Sequence, residues 1–523
     1  MKKQEIPSST NHNPAEVARA LTAFRNQEPG REFLAKDLLD RLLPDRDIDG
    51  DQNEMYVGMQ DTFNEMKKAR RFTLGYIGHM LSESSIPSLS ADFLAREVGS
   101  NTVAREVSMV ESRLEKQTVE RILSMIGYDS KEASGTFCSG GTMANMTALT
   151  IARKVMETNY ERIGEKFPEE VWVLTTDMAH YSIPKSVDLL GGPRHNIKIK
   201  TVETKGLKMS TEDLEAKIAL AKKNNIPVMA VVAIMGETET GLVDDLEEIT
   251  RITRENNIFT IADGAYGTPY ILSRNGDKFK GLGDCDATVF DVHKCFYTPY
   301  GGGFIAFKDS SDHAGLARGV MANYIGISTT NNFEEFERQR PEIAREFREG
   351  TGRLGAKRIE GSMSAAAILS TKATLETLGE KGLATIYDLT LDRTEHLHQR
   401  LLASSVFKPY HDPELNLLCF ILKDEILTEL GLDKHSRKFM DFIEKTRLIL
   451  DNNIEAEGGY YFSQTDLIDE SQNDPTKKAW TWRACIMNPW TTDKIIDAAI
   501  DNLEMLVNNE RNPKTAVIMP TLR

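Results

Sequence analysis

The sequence predicts an α/β protein built on a mostly parallel sheet, and three observations carry that reading. From about residue 135, short apolar and β-branched segments alternate with helical ones. The segments are followed by turns holding glycine, histidine or aspartate. The chain, at 523 residues, is too long for one ordinary core and should divide into two or three units. Strands are predicted at Val171–Thr175, Ile197–Val202, Val228–Ile234, Phe259–Ala262, Ala287–Phe290 and Gly303–Phe307, with helices over Thr211–Asn224 and Leu246–Glu255. That order is the pattern of a sheet with helices on its faces, whose ligands sit beyond the carboxyl ends of the strands.

Ahead of the sheet, residues 1 to about 14 are polar and expected to fray. Pro14 to about Lys68 has helical spacing, as in Val17, Ala20, Leu21 and Phe24. Phe72–Ser90, with Gly75, Gly78 and Pro87, reads as a loop, and Glu106–Ile126 as an amphipathic helix ended by Gly127. Residues 308 to about 360 are charged and loop-like. A helix from Ala365 to about Leu378 follows. Leu417–Leu422, Ser436–Leu450, Tyr460–Phe462, Trp480–Met487 and Thr492–Asn508 then alternate as a small α+β unit. The expected division is an N-terminal helical arm (1–70), a large α/β domain (71–360) and a small C-terminal domain (361–523).

Composition removes several classes of function. A formal net charge of −15 opposes nucleic acid and anionic membrane as main partners, and leaves room for a small anionic substrate met by one arginine. The five cysteines show no CxxC pair or metal-ligand rhythm, which fits a reducing cytoplasm. Asp45–Gly50 imitates the start of a calcium loop, but Tyr56 stands where the bidentate glutamate belongs, so no metal is expected. No run approaches the length of a membrane span, and the first residues lack the apolar stretch of a signal peptide.

Four strand ends carry suggestive residues. Gly140, Gly141 and Thr142 open a helix, where free N–H groups and the helix dipole favour a phosphate; in isolation a plain helix cap is the better explanation. His180 follows the strand at 171–175 and can lie over an aromatic ring, or be an ordinary loop histidine. Asp263 ends a buried strand, where a carboxylate is costly unless paired, for instance with a protonated pyridine nitrogen; capping of the next segment explains it equally well. Ala265 is small enough to let a flat ring approach. His293–Lys294 lies between Ala287–Phe290 and the glycine triplet Gly301–Gly303, and a desolvated lysine amine there is expected to have a lowered pKa and to attack an aldehyde. A phosphate cradle, a stacking group, a partner for a ring nitrogen and an amine are together the requirements of pyridoxal 5′-phosphate.

The ordered series Ser139-Gly-Gly-Thr142, His180, Gly236-Glu-Thr238 with Gly241, Asp263-Gly-Ala265 and His293-Lys294 resembles the group II pyridoxal-phosphate-dependent amino-acid decarboxylases, over about residues 70–508. Within that family the chain looks most like the bacterial aspartate 1-decarboxylases, which make β-alanine. The resemblance implies the fold-type I, aminotransferase-like scaffold and a homodimer with active sites at the subunit interface. It implies that Lys294 holds the cofactor as a Schiff base, that His180 stacks on the ring and that Asp263 pairs with the pyridinium. Ala265 would pack on the ring face and Thr238 line the pocket, with the phosphate on Gly140, Gly141 and Thr142 and His293 nearby. Arg483, in Trp482-Arg-Ala-Cys485, would meet a substrate carboxylate, and Tyr324 would be the mobile-loop proton donor. The chain departs from the family at Met363, where a cation usually stands. Glutamate or aromatic decarboxylation, transamination and a silent cofactor-binding homologue are the alternatives.

Overall fold

The computed structural model describes residues 7–24, 73–99, 101–104, 107–192, 196–314, 358–451, 459–472 and 476–512, with a few isolated positions between them. Among these the main sheet has seven strands: β1 (Ser134–Cys138), β2 (Val171–Thr175), β3 (Ile197–Thr201), β4 (Val228–Ile234), β5 (Phe259–Asp263), β6 (Ala287–Phe290) and β7 (Gly303–Phe307). Their spatial order is β1-β7-β6-β5-β4-β2-β3. β2–β3, β2–β4, β4–β5 and β5–β6 pair in parallel, while β7 runs antiparallel to both β6 and β1. The carboxyl ends of the other six strands therefore share one edge.

Alternation along each strand makes the two faces. Leu174, Val231, Ala262, Phe290 and Phe304 belong to one apolar cluster, whereas Val173, Ala230, Ile261, Val289 and Ile305 belong to another. Burying each valine, leucine, isoleucine or phenylalanine side chain among them contributes about 1.5–3 kcal/mol, so a one-residue slip would expose a whole face. Helices α1 (Pro14–Leu21), α2 (Ile86–Val98) and α3 (Met109–Met125) precede the sheet; α4 (Gly141–Arg162), α5 (Ser182–Gly191), α6 (Thr211–Lys223) and α7 (Leu246–Glu255) cross between strands. Their starts are chemically marked. Asn13 makes a capping box with Glu16, Ser210 accepts from the Asp213 N–H, and Asp245 accepts from the Glu248 N–H.

Several elements differ from expectation. Ser134–Cys138 is a strand although its Ser-Gly-Thr start lacks an apolar pattern; its pairing with β7 supplies the order that its composition does not. Ile86–Val98 is a helix within and beyond the segment read as a loop. Ser85 accepts from the Ser88 N–H and Pro87 sits in the first turn, where a missing N–H costs nothing. The polar N-terminal segment, as far as it is described, is tied down: the Thr10 N–H and hydroxyl donate to Asp392, and His12 Nε2 lies 3.0 Å from Asp388.

The partners of that segment lie on α8 (Ala366–Ala403), which breaks at Gly379 (φ 64°, ψ 179°), next to the predicted end of the first helix. Beyond it a four-stranded antiparallel sheet forms from β8 (Phe407–Pro409), β9 (Leu417–Leu422), β10 (Ser463–Ile468) and β11 (Lys478–Cys485), in the order β8-β9-β11-β10. Helices α9 (Arg437–Asp451) and α10 (Asp493–Arg511) cover it. The buried Trp482 meets Phe407, Phe420 and Phe439 at centroid distances of 5.4–5.9 Å. Tyr461, expected in a strand, makes instead a single parallel bridge to Tyr76.

The two sheets meet at the turn after β4. Cys419 Sγ contacts the Glu239 carbonyl, and Glu414 accepts from the Val243 N–H and from Lys208 and Lys278. Within the turn, one oxygen of Glu237 accepts from the Glu239 N–H, the Thr240 N–H and the Thr240 hydroxyl. Burial outweighs those bonds and pushes the Glu237 carboxyl up to about 7. A carboxyl that holds its proton more tightly when folded gives stability that is complete below its unfolded pKa and is lost as pH rises through the folded value. Glu237→Gln should therefore gain on the wild type by about 1–3 kcal/mol between pH 4.5 and 7.5, read from urea unfolding across that range. A difference independent of pH would contradict this assignment.

Candidate active site

A cavity of about 400 Å³ opens at the carboxyl edge of the main sheet. Its lining includes Gly140, Gly141 and Thr142 after β1, His180 after β2, Thr238 after β4, Asp263 and Ala265 after β5, and His293 and Lys294 after β6. A wider groove, about 600 Å³, lies at the opposite edge, where Val228 and Phe259 begin their strands. The first gathers the sequence-predicted groups, because the strand directions deliver them to that end.

Asp263 is buried, and its partners are neutral: Asn145 Nδ2 at 2.9 Å and the Ala265 N–H at 3.2 Å. Burial pushes its carboxyl up, and the two hydrogen bonds oppose that shift. Asn145 Nδ2 also lies 3.0 Å from Ser182 Oγ, which is 2.8 Å from His180 Nδ1. The Ser182 N–H reaches the same ring nitrogen at 3.3 Å, so Nδ1 is the acceptor and Nε2 carries the hydrogen. Burial pushes the His180 pKa down, which keeps the ring neutral at neutral pH.

Lys294 occupies a single helical turn, Val292–Cys295. Tyr387 on α8 holds that turn by donating to the Cys295 carbonyl at 2.8 Å. Tyr297, buried with φ 54°, donates to the Met487 carbonyl and accepts from the Ser85 N–H and the Ser88 hydroxyl. The lysine amine lies 3.2 Å from Asp291 Oδ2. Burial lowers its pKa, but Asp291 and then Asp263 raise it, and the net shift is upward. The expectation of a lowered lysine pKa is thus corrected: it considered burial and omitted the adjacent carboxylate. His293 places Nδ1 2.6 Å from the Gly302 carbonyl and stacks near Tyr300 with centroids 4.2 Å apart.

Arg483 lies on β11 and is not part of the cavity lining. Its Nη1 donates to the Gly78 carbonyl at 2.8 Å and to Ser463 Oγ at 3.1 Å, and its Nε and Nη2 donate to the Thr238 carbonyl. Glu239 Oε2 is 3.4 Å away. Most of its fork is therefore spent on the protein itself, in place of the substrate carboxylate expected for it. Met363 is partly buried against the core, and its carbonyl accepts from Thr102; the nearby cation is Arg358, paired with Glu115 at 2.5 Å. Tyr324 lies outside the described residues.

Sequence reasoning missed Asn145, Ser182 and Asp291. Asn145 was findable: it stands one helical turn after Gly141 and so shares its face of α4. Asp291, three residues before the lysine in a helical turn, was findable by the same spacing.

These residues fit pyridoxal phosphate. A Cβ at Gly141 would sit 3.0 Å from Asp291 Oδ2 and 3.3 Å from the Ala265 Cβ, so the cradle at the start of α4 needs glycine to stay open. Among the described residues Asp263 has no cation within hydrogen-bonding distance, and a protonated ring nitrogen would provide one. Lys294 has the amine that an aldehyde would need, and the helix start suits a phosphate.

Comparison with known proteins agrees. The chain is 25% identical to the aspartate 1-decarboxylase of Aliivibrio fischeri, over 83% of its length and 80% of that protein. It is 32% identical to an aromatic-L-amino-acid decarboxylase of Bacillus atrophaeus over 46% of this chain and 48% of the relative. Mouse CSAD shares the fold, with a TM-score of 0.70 at 18% identity, covering 94% of this chain and 96% of that one. Residues 76–423 match the pyridoxal-dependent decarboxylase conserved domain, and with two thirds of the chain inside that match, the protein belongs to this family of pyridoxal-phosphate-dependent amino-acid decarboxylases.

Proposed function

We propose that the protein removes the α-carboxyl group of L-aspartate, giving β-alanine and carbon dioxide. The observation that carries this choice is the A. fischeri aspartate 1-decarboxylase, which matches most of both chains. Bound pyridoxal phosphate supplies the sink for the electron pair left when carbon dioxide departs. Lys294 provides the amine that anchors the cofactor, and Asp263 keeps a positive charge on the buried ring nitrogen. Neutral His180 and small Ala265 would accommodate the ring, while Gly140, Gly141 and Thr142 would hold the phosphate with His293 nearby. Thr238 walls the cavity. Arg483 acts from behind this wall, pinning the Thr238–Glu239 turn to Gly78 and β10.

One observation favours a second reading, an aromatic substrate. Tyr181 and Tyr300, both exposed, border the cavity, and Arg483 has most of its donors committed. A substrate panel separates the two. L-aspartate should release carbon dioxide with β-alanine as the product, and L-glutamate and L-tyrosine should not. Release from tyrosine alone would replace aspartate by the aromatic reading. Asp263→Asn should lower the rate by about 100- to 1,000-fold, because it keeps the shape and removes the charge.

A homodimer is part of the same proposal. Ile86, Leu89 and Phe93 fall on one stripe of α2, with Leu94, Val98, Val107, Met109 and Val110 also exposed. An apolar surface of this extent is what a second copy would cover. Changing both Phe93 and Leu94 to Asp should convert a dimer to a monomer in sedimentation; an unchanged dimer would move the interface elsewhere. The five described cysteines are free and buried, which supports the cytoplasmic expectation, and no described helix is long and apolar enough to cross a membrane.

A further inference from the structure

Asp291 is a buried carboxylate that the assignments above leave without a task. It follows β6 directly, and its N–H donates to the Ala265 carbonyl at 2.9 Å, so its backbone is fixed to the wall of the cavity. One oxygen, Oδ2, faces Lys294 Nζ at 3.2 Å and His293 Nε2 at 3.7 Å. The other, Oδ1, is buried with no hydrogen-bond partner among the described residues. The space it occupies exists because residue 141 is glycine. A carboxylate held like this is costly unless a positive charge offsets it.

His293 does not supply that charge. Burial, and then Lys294, push the imidazole pKa down against the opposing pull of Asp291 and the Gly302 carbonyl, so at neutral pH the ring is uncharged. The remaining neighbour is Lys294.

We propose that Asp291 is a positioning residue: its carboxylate holds Lys294 Nζ as an ammonium at one fixed place beside the α4 start whenever that nitrogen has no covalent partner. Lys294 can then attack an aldehyde only after giving a proton to solvent. The inference rests on the reading of Lys294 as the cofactor-anchoring residue, and gives that site a second state, in which the released lysine is parked, charged and close to where it must react. The groups facing Lys294 are Asp291 and His293 on its own turn, Asp263 after β5, His180 after β2, Tyr300 before the glycine triplet, and the buried thiols of Cys295 and Cys485. Of these Asp291 is the one in ion-pair contact and the strongest in raising the lysine pKa.

The test uses the full chain stripped of cofactor. Lys294 is acetylated with acetic anhydride over a range of pH, with Nα-acetyllysine amide, whose ε-amine is free, in the same tube as the reference, and the rates are read by mass spectrometry. In the wild type the midpoint for Lys294 should lie above the reference. In Asp291→Asn it should fall by about one unit or more and cross below the reference, because burial remains while the carboxylate is gone. A merely unfolded variant would bring the midpoint to the reference without crossing it. Asp291→Ser, which removes the charge with a smaller side chain, should show the same crossing. A midpoint in both variants that stays at or above the reference overturns the proposal. Because the acetylation needs no cofactor, loss of pyridoxal phosphate binding would bear on the functional reading and leave this result standing.

Discussion

Parallel pairing is the constraint on which the rest of this molecule depends. Strands that run the same way must end at the same edge, and each needs a crossover to return. The crossovers α4 to α7 cover the faces, and the six carboxyl ends are left to carry turns. Groups separated by more than 150 residues, such as Gly141 and Lys294, meet because their strands lie close in the sheet. The antiparallel β7 completes the arrangement. It folds back beside β6, so that the chain between them, with Lys294, turns within the same edge instead of crossing to the other.

The energetics of the edge follow from the burial of its carboxylates. Buried carboxylates cannot remain charged without compensation, and Glu237, Asp263 and Asp291 are each answered differently. Glu237 is met by backbone and hydroxyl donors and its pKa rises anyway. Asp263 is met by an amide and an N–H, leaving it short of a positive partner that the cofactor ring would supply. Asp291 is met by a lysine. Removing either partner of such a contact leaves the other buried and unpaired, which costs more than the contact contributes. The small sheet matters to the same edge through Arg483, which braces the turn behind Thr238 by hydrogen bonds to carbonyls, a task for a planar five-donor fork that lysine would perform poorly.

Much of the fold was legible because alternation and strand length are strong local signals. Val171–Thr175, Val228–Ile234, Ala287–Phe290 and Gly303–Phe307 are read from sequence with the bounds the structure has. β1 was not legible, since Ser-Gly-Thr has no apolar pattern and becomes a strand only by pairing with a partner about 170 residues away. α2 was obscured by proline, which reads as a breaker until its place in the first turn is known. At the site, the sequence pointed to the residues whose chemistry is unusual at a strand end: Lys294, Asp263 and His180. Their supports were hidden. Asn145 and Ser182 are ordinary helix residues until folding joins them to Asp263 and His180, and the sign of the lysine's pKa shift depends on Asp291 pointing inward.

The central claim is that Lys294 is the amine that bears pyridoxal phosphate. The most direct measurement is to reduce the purified protein with borohydride, digest it and locate the pyridoxyl group by mass spectrometry. The account predicts one modified peptide, carrying the group on Lys294. A group found on another lysine, or none at all in protein supplied with the cofactor, would contradict it.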